Sequence, residues 1–159
     1  MDDKEKELYH FWKSKFRTHF LRAVCWDVIR PIIIENEVSS VLEFGCGLST
    51  LLFDSLGLKV TSYDTEQRFI DFVKQHCSSN VELILWENEG DPVTSQYDFS
   101  LVDGVLPRTP QLKVAVCHSN LIAIDDFRGK LTPILTPELK GFERIDSEKT
   151  KIAVFARRN

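Results

Sequence analysis

Residues 38–50 read Val-Ser-Ser-Val-Leu-Glu-Phe-Gly-Cys-Gly-Leu-Ser-Thr, and the fold follows from this stretch. Its first part, 38–44, is rich in apolar and β-branched residues, which predicts a buried strand. Gly45 and Gly47 come next, and glycines allow a tight turn and a close approach of the backbone to a ligand. A helix is then predicted over 49–56, with a hydroxyl side chain as its N-cap. This order of strand, glycine turn and helix indicates the first unit of a parallel α/β sheet.

The alternation of strands and helices continues along the chain. Further strands are predicted over 58–63, 81–86, 97–102 and 121–124, helices over 65–77 and 109–117, a loop with at most a short helix over 131–140, and a closing hairpin from 142–146 and 151–156. Such alternation predicts a parallel sheet with helices on both faces. Apolar residues spaced by three and four predict one helix over the N-terminal residues, and Pro31 ends or kinks it. We expect the 159 residues to form one domain, 1–159, with an N-terminal helix (1–30) and a Rossmann-like core (38–157).

Composition narrows the class of protein. Hydrophobic residues make up 43% of the chain and aromatic residues 11%, which is ample for a folded core. The net charge of −4 argues against nucleic acid as a partner, because proteins that coat phosphate backbones are usually basic. The four cysteines form no CxxC pair, and the charged start and short apolar runs predict neither a secretory signal nor a membrane span. We expect a cytoplasmic protein with free thiols.

Acidic residues lie at the carboxyl ends of the first two predicted strands, where ligands of open α/β sheets bind. Glu43 lies two positions before Gly45, where it would repel a pyrophosphate but suits a cationic ligand. Thr50 stands where the dinucleotide-binding fingerprint has its third small residue. Asp64 comes seventeen residues after Gly47, near the spacing of a carboxylate that binds ribose hydroxyls. The alternative for Asp64 is an N-cap of the next helix.

The Glu-x-Gly-x-Gly pattern with an acid after the second strand resembles the class I S-adenosylmethionine-dependent methyltransferases, and here their small O-methyltransferase-like members. The resemblance covers roughly residues 38–157. It implies a seven-stranded sheet in the order 3-2-1-4-5-7-6 with the last strand antiparallel, and S-adenosylmethionine as cofactor. It also implies that an acid after the third strand contacts the adenine, the alternative being a solvent-exposed residue. The implied cofactor site consists of Glu43, Gly45, Gly47, Asp64 and Glu87.

Three further acids follow the fourth and fifth strands. In catechol-type O-methyltransferases, which the chain resembles here, acids at these positions bind a divalent ion. The resemblance therefore implies a catalytic site and a Mg²⁺ site at Asp103, Asp125 and Asp126. The connection between the two strands is shorter than that family usually shows. The alternative is that one acid caps a turn and another pairs with Arg108 or Arg128.

The resemblance predicts an enzyme that transfers a methyl group from S-adenosylmethionine to a small-molecule acceptor, at oxygen, with Arg108 on the substrate side. The Asp/Asn-Pro-Pro-Tyr/Phe motif of amino-directed methyltransferases is missing at 103–106. Two alternatives remain open: a cofactor-binding subunit or regulator without its own catalysis, and an NAD-type Rossmann protein. Little of the chain lies outside the core, so either the acceptor is small or a second subunit of a homodimer completes the pocket.

Overall fold

Residues 1–16, 21–87, 93–104, 108–127, 132–146 and 151–158 are described by the computed structural model. Within these ranges, seven strands form one sheet in the order β3-β2-β1-β4-β5-β7-β6. Strands β1 to β5 are parallel, and β7 runs antiparallel to β5 and β6. The predicted fold class and strand order are therefore confirmed. The strands are β1 (Ser40–Phe44), β2 (Lys59–Asp64), β3 (Val81–Leu85), β4 (Tyr97–Val102), β5 (Ser119–Ile124), β6 (Phe142–Arg144) and β7 (Ala153–Arg157).

Helices pack on both faces of this sheet. Adjacent residues of the central strand β1 point to opposite faces, so Val41 belongs to one buried cluster and Leu42 to the other. Both side chains are fully buried. The helices are α1 (Asp3–Lys15), α2 (Ala23–Glu35), α3 (Leu48–Ser55), α4 (Gln67–Lys74), α5 (Thr109–His118) and α6 (Thr132–Leu135), the last followed by a 3₁₀ turn (Thr136–Leu139).

The single N-terminal helix predicted for residues 1–30 is wrong, because this segment contains α1 and α2. Asp2 starts α1 with a capping box in which Asp2 and Glu5 accept hydrogen bonds from each other's backbone N–H groups. Pro31 lies inside α2 rather than ending it. Buried Ile29 and Ile33 flank the proline, and their packing offsets the hydrogen bond that it removes. An apolar period of three to four continues through both helices and so does not reveal the break between them.

Aromatic side chains hold the two N-terminal helices on the sheet. Trp12 of α1 is fully buried, with its ring centroid 4.7 Å from that of Phe16 and 5.5 Å from that of Phe72 on α4. Trp26 of α2 lies 5.5 Å from Phe53 of α3 by the same measure. The expectation that the N-terminal residues dock on the core is thus confirmed for the described part of the segment.

Two further observations concern the cysteines and the helices. All four cysteines are free thiols. Among the described helices, none combines the length and the apolar character that a membrane span requires.

Candidate active site

A cavity of about 880 Å³ opens at the carboxyl ends of β1, β2, β4 and β5. Its wall includes the glycine loop, which we define as residues 45–49. Glu43 is fully buried beneath the loop, and Glu87 is exposed and lies outside the cavity wall. The structure therefore brings most of the predicted site residues to one cavity. They are Gly45, Gly47, Asp64, Asp103, Arg108, Asp125 and Asp126.

The two glycines of the loop meet different neighbours. Gly45 has a φ of +100°, and a Cβ there would lie 3.0 Å from the backbone of both Asp103 and Gly104. Glycine is therefore required at position 45 for two reasons. Any other residue would be strained at this positive φ, and its Cβ would collide with the backbone at the end of β4. A Cβ at Gly47 would lie 3.3 Å from the ring of Trp12. A side chain at position 47 would thus press on α1, in addition to any effect on a ligand.

A buried hydrogen-bond network connects Glu43 to the glycine loop. The hydroxyl groups of Thr50 and Ser62 donate to Glu43 Oε2 over 2.5 and 2.6 Å. The N–H of Gly47 donates to Thr50 Oγ1 over 2.8 Å. Burial raises the pKa of Glu43 to about 7, although the hydroxyls of Ser49, Ser62 and Thr50 act in the opposite direction. The carboxyl thus ties the loop to β1, β2 and α3.

Asp64 also holds the glycine loop. Its carboxylate accepts hydrogen bonds from the N–H of Cys46 over 2.8 Å and from the N–H of Glu66 over 2.7 Å. Burial raises the pKa of Asp64, while these two backbone groups lower it. The alternative that Asp64 is the N-cap of α4 is wrong, because Glu66 is the N-cap residue and no side chain caps this helix. Asp64 still lies in the cavity wall, so binding of a ribose stays a prediction.

Trp86, rather than its exposed neighbour Glu87, lies beside the loop. It borders a small hollow together with Gly45, Asp64 and Gln111. The Trp86 ring centroid is 5.0 Å from that of Phe44, which fixes the ring on the sheet. An aromatic residue directly after β3 is the sequence signal for this position.

Asp103 and Asp125 converge on Arg108. The buried guanidinium of Arg108 donates to the carbonyls of Asp125 and Gly104, and its Nη2 lies 3.4 Å from Asp103 Oδ1. Burial, and then the neighbouring Asp125, raises the pKa of Asp103 well above its ordinary value, while Arg108 acts against this rise. The Cys25 thiol lies 3.5 Å from Asp125 Oδ1. The predicted alternative of pairing with Arg108 is therefore observed, and Arg128 lies outside the described residues.

Asp126 points to other partners. Its side chain is 53% exposed, and its Oδ1 lies 3.7 Å from Arg22 Nη2 and 3.6 Å from Lys151 Nζ. Within the described residues, no three His, Cys, Asp or Glu side chains are grouped to hold a metal ion. The acids predicted to bind Mg²⁺ therefore do not converge on one point: Asp103 lies near Arg108, whereas Asp126 lies near Arg22 and Lys151. Binding of Mg²⁺ at Asp103, Asp125 and Asp126 stays a prediction.

Three residues of the site were missed from sequence. Arg22, which precedes α2, lines the cavity. Lys151 was expected only as part of a hairpin. Gln111 is buried against Gly104. A Cβ added to Gly104 would lie 2.4 Å from the amide nitrogen of Gln111. Spacing gives no signal for these residues, because tertiary packing brings Arg22 and Lys151 to the cavity and Gln111 to the small hollow beside it.

Comparisons with known proteins bear on the fold. No protein-family model and no curated protein matches the sequence. Among solved structures, the chain is similar to the O-methyltransferase TomG from Streptomyces achromogenes, whose structure holds S-adenosylmethionine. The identity is 13%, the match covers 100% of this chain and 91% of TomG, and the TM-score is 0.72. The chain has the S-adenosylmethionine-dependent methyltransferase fold.

Other solved structures with this methyltransferase fold differ in their named acceptors. The N-methyltransferase NodS from Bradyrhizobium japonicum is 14% identical, with 99% of each chain covered and a TM-score of 0.61. The 16S rRNA methylase ArmA is 17% identical, with 81% of this chain and 80% of that chain covered and a TM-score of 0.53. The methyltransferase fold therefore leaves the acceptor to be argued from the site.

The close approach at Gly45 predicts a difference between two glycine variants. Gly45→Ala and Gly57→Ala both place a side chain at positive φ, but an added Cβ at Gly57 has nothing within 4 Å. We expect Gly57→Ala to lower the free energy of unfolding by about 1 kcal/mol. Gly45→Ala should cost about 1–3 kcal/mol more, because the backbone of β4 must move. Urea denaturation followed by circular dichroism measures both, and equal losses would contradict the packing argument.

The buried carboxyl of Glu43 predicts a pH-dependent stability. Its pKa rises from 4.5 to about 7 on folding, so the folded protein favours the protonated form. Relative to Glu43→Gln, the wild-type free energy of unfolding should be highest below pH 4.5, fall as pH rises to about 7, and then stay constant. The total fall should be about 3 kcal/mol. Urea denaturation of both proteins at about pH 5 and about pH 8 measures it. A constant difference between the proteins would show that Glu43 does not titrate in this range.

Proposed function

We propose that the protein transfers a methyl group from S-adenosylmethionine to an oxygen atom of a small-molecule acceptor. The methyltransferase fold and the cavity beside the glycine loop support the donor. The observation that carries the acceptor chemistry is Asp103, a partly buried carboxyl in the cavity wall whose pKa is raised well above its ordinary value. Such a group is suited to accept a proton from a hydroxyl.

The residues at the loop fit the cofactor. The cavity volume of about 880 Å³ lies within the range of small-molecule sites, roughly 300–1,000 Å³. S-adenosylmethionine, when bound, supplies an electrophilic methyl group on a positively charged sulfur. Gly45 lets the loop lie against the end of β4, and Gly47 lets it lie against Trp12. Asp64 would accept hydrogen bonds from ribose hydroxyls, and Glu43 holds the loop from below. The acids of the wall suit a cationic ligand.

Asp103, Asp125 and Arg108 form the part of the cavity that receives the acceptor. There the protein holds a hydroxyl group of the acceptor and removes its proton. Asp103 takes the proton while the acceptor oxygen forms its bond to the methyl carbon and the bond from that carbon to sulfur breaks. Asp125 raises the proton affinity of Asp103 through the repulsion between the two carboxyl groups. Arg108 fixes Asp103 relative to the end of β5. Positioning of donor and acceptor contributes most of the rate, since an in-line displacement needs little acid–base chemistry.

Binding of the cofactor is tested at Asp64. Asp64→Ala should weaken the binding of S-adenosylhomocysteine by about 1.5–3 kcal/mol, because charge-assisted hydrogen bonds are lost. Isothermal titration calorimetry with S-adenosylhomocysteine and with NAD measures this. Asp71→Ala removes an exposed acid of α4 and serves as the matched control. Binding of NAD but not of S-adenosylhomocysteine by the wild type would refute the proposal in favour of a dinucleotide-binding protein.

Catalysis is tested at Asp103 and Asp125. Release of S-adenosylhomocysteine is screened with catechols, hydroxy acids and peptides. Asp103→Asn should lower kcat about 10²–10⁴-fold. The deprotonated Asp103 is the active form, so the wild-type rate should rise with pH through its raised pKa. Asp125→Asn removes a neighbouring carboxyl that raises this pKa and should shift the rise to lower pH. Wild-type kcat in Asp103→Asn would remove Asp103 from the mechanism, and cofactor binding without turnover throughout the screen would favour a regulatory subunit.

A further inference from the structure

Two cations share one carboxylate at the edge of the cavity, and the methyl-transfer chemistry does not use them. We call Arg22, Asp126 and Lys151 the rim cluster. Arg22 precedes α2, Asp126 follows β5, and Lys151 precedes β7, so three separate parts of the chain supply it. All three residues line the cavity. The side chains of Arg22 and Lys151 are 39% and 51% exposed, so a ligand in the cavity has access to them.

The rim cluster carries an excess of positive charge. Both cations approach the same oxygen, Oδ1 of Asp126, over 3.7 and 3.6 Å. These separations are too long for good hydrogen bonds, so the carboxylate leaves hydrogen-bonding capacity on both cations. One carboxylate balances only one of the two charges. A second anionic group would balance the remaining positive charge.

Stability does not account for the rim cluster. Exposed ion pairs contribute only about 0–1 kcal/mol. Asp126 also has a φ of +52°, in the left-handed region that costs a non-glycine residue free energy. A strained residue that holds two exposed cations at a cavity wall is typical of a binding site rather than of a stabilising contact.

The position of the rim cluster assigns it to the acceptor rather than to the cofactor. Asp126 follows β5, and β5 is two strands away from β1 and the glycine loop. Neighbouring strands are about 4.8 Å apart, which places the end of β5 about 10 Å from the end of β1. Asp103, at the end of β4, lies between them. A small molecule that extends from Asp103 towards the rim therefore points away from the glycine loop.

We propose that Arg22 and Lys151 bind an anionic group, such as a carboxylate, of the methyl acceptor. The acceptor is then a small hydroxyl-bearing acid, with its hydroxyl at Asp103 and its charge at the rim cluster. This inference rests on the proposed function, because it takes Asp103 as the methylation end. It adds the chemical class of the substrate.

Matched acids and amides test the charge requirement. The probes are 4-hydroxybenzoate with 4-hydroxybenzamide, 3,4-dihydroxybenzoate with its amide, and lactate with lactamide. Their affinities are measured by ligand-observed NMR at low salt, on protein saturated with S-adenosylhomocysteine. At least one acid should bind about tenfold or more tightly than its amide, since hydrogen bonds to charged groups are the strong ones. No preference for any acid would overturn the inference.

Variants then locate the preference. In Arg22→Gln combined with Lys151→Gln, the acid should bind no better than the amide. Arg22→Lys combined with Lys151→Arg keeps the charges and should retain most of the preference. Lys113→Gln is the control, because Lys113 is an exposed lysine paired with Glu138 outside the cavity wall. A preference that survives the double glutamine variant would show that the anion binds elsewhere.

Two further arms separate the cofactor from the acceptor. S-adenosylhomocysteine and 5′-methylthioadenosine, which lacks the amino-acid carboxylate, are titrated into wild type and the double glutamine variant. The inference expects unchanged affinity for both. Loss of affinity for S-adenosylhomocysteine alone would show that the rim cluster holds the cofactor carboxylate, and would overturn it. The acid and amide pairs are also measured without cofactor, so an acid preference that depends on the rim cluster remains visible even if the proposed function fails.

Discussion

The close contact between Gly45 and the end of β4 sets the geometry of the site. A single added carbon at Gly45 would touch the backbone of Asp103 and Gly104, so the glycine loop and the acid after β4 lie directly against each other. Parallel strands already bring their carboxyl ends to one edge, and the N–H of Asp103 donates to the carbonyl of Phe44 over 2.9 Å. Because Gly45 has no side chain, the glycine loop also packs directly against the backbone of Asp103 and Gly104. The glycine loop and the carboxyl of Asp103 are thereby brought within one cavity.

The acids of the site have different chemistry because their partners differ. Hydroxyl groups surround Glu43, backbone N–H groups hold Asp64, a guanidinium holds Asp103, and Asp126 is half in solvent with two cations. Burial raises the pKa of a carboxyl, and only nearby donors or cations compensate. Asp103 keeps a raised pKa because Asp125 acts together with burial against Arg108. An acid at the end of a strand can therefore have several roles, and the groups that contact its carboxyl decide which one it has.

The sequence predicted the sheet well because its signals are local. Apolar runs, glycines and the acids at strand ends are all set by residues a few positions apart, and β4 was predicted with its observed bounds, Tyr97–Val102. The partners of the acids after β5 were not predictable in the same way. Asp126 follows Asp125 directly, yet its backbone turns into the left-handed region and its carboxylate meets cations from α2 and β7. Those cations, Arg22 before α2 and Lys151 before β7, are distant from Asp126 in sequence, and only tertiary packing brings them together.

The N-terminal segment connects both halves of the cavity. Trp12 of α1 packs beneath Gly47 of the loop, whereas Arg22 and Cys25, at the start of α2, reach Asp126 and Asp125. The sheet supplies the loop and the acids in the order shared by this fold. The two helices add the contacts that the sheet lacks: an aromatic support for the loop and a cation at the rim. Because these contacts come from outside the alternating core, the acceptor preference that we propose rests on the two N-terminal helices as well as on the sheet.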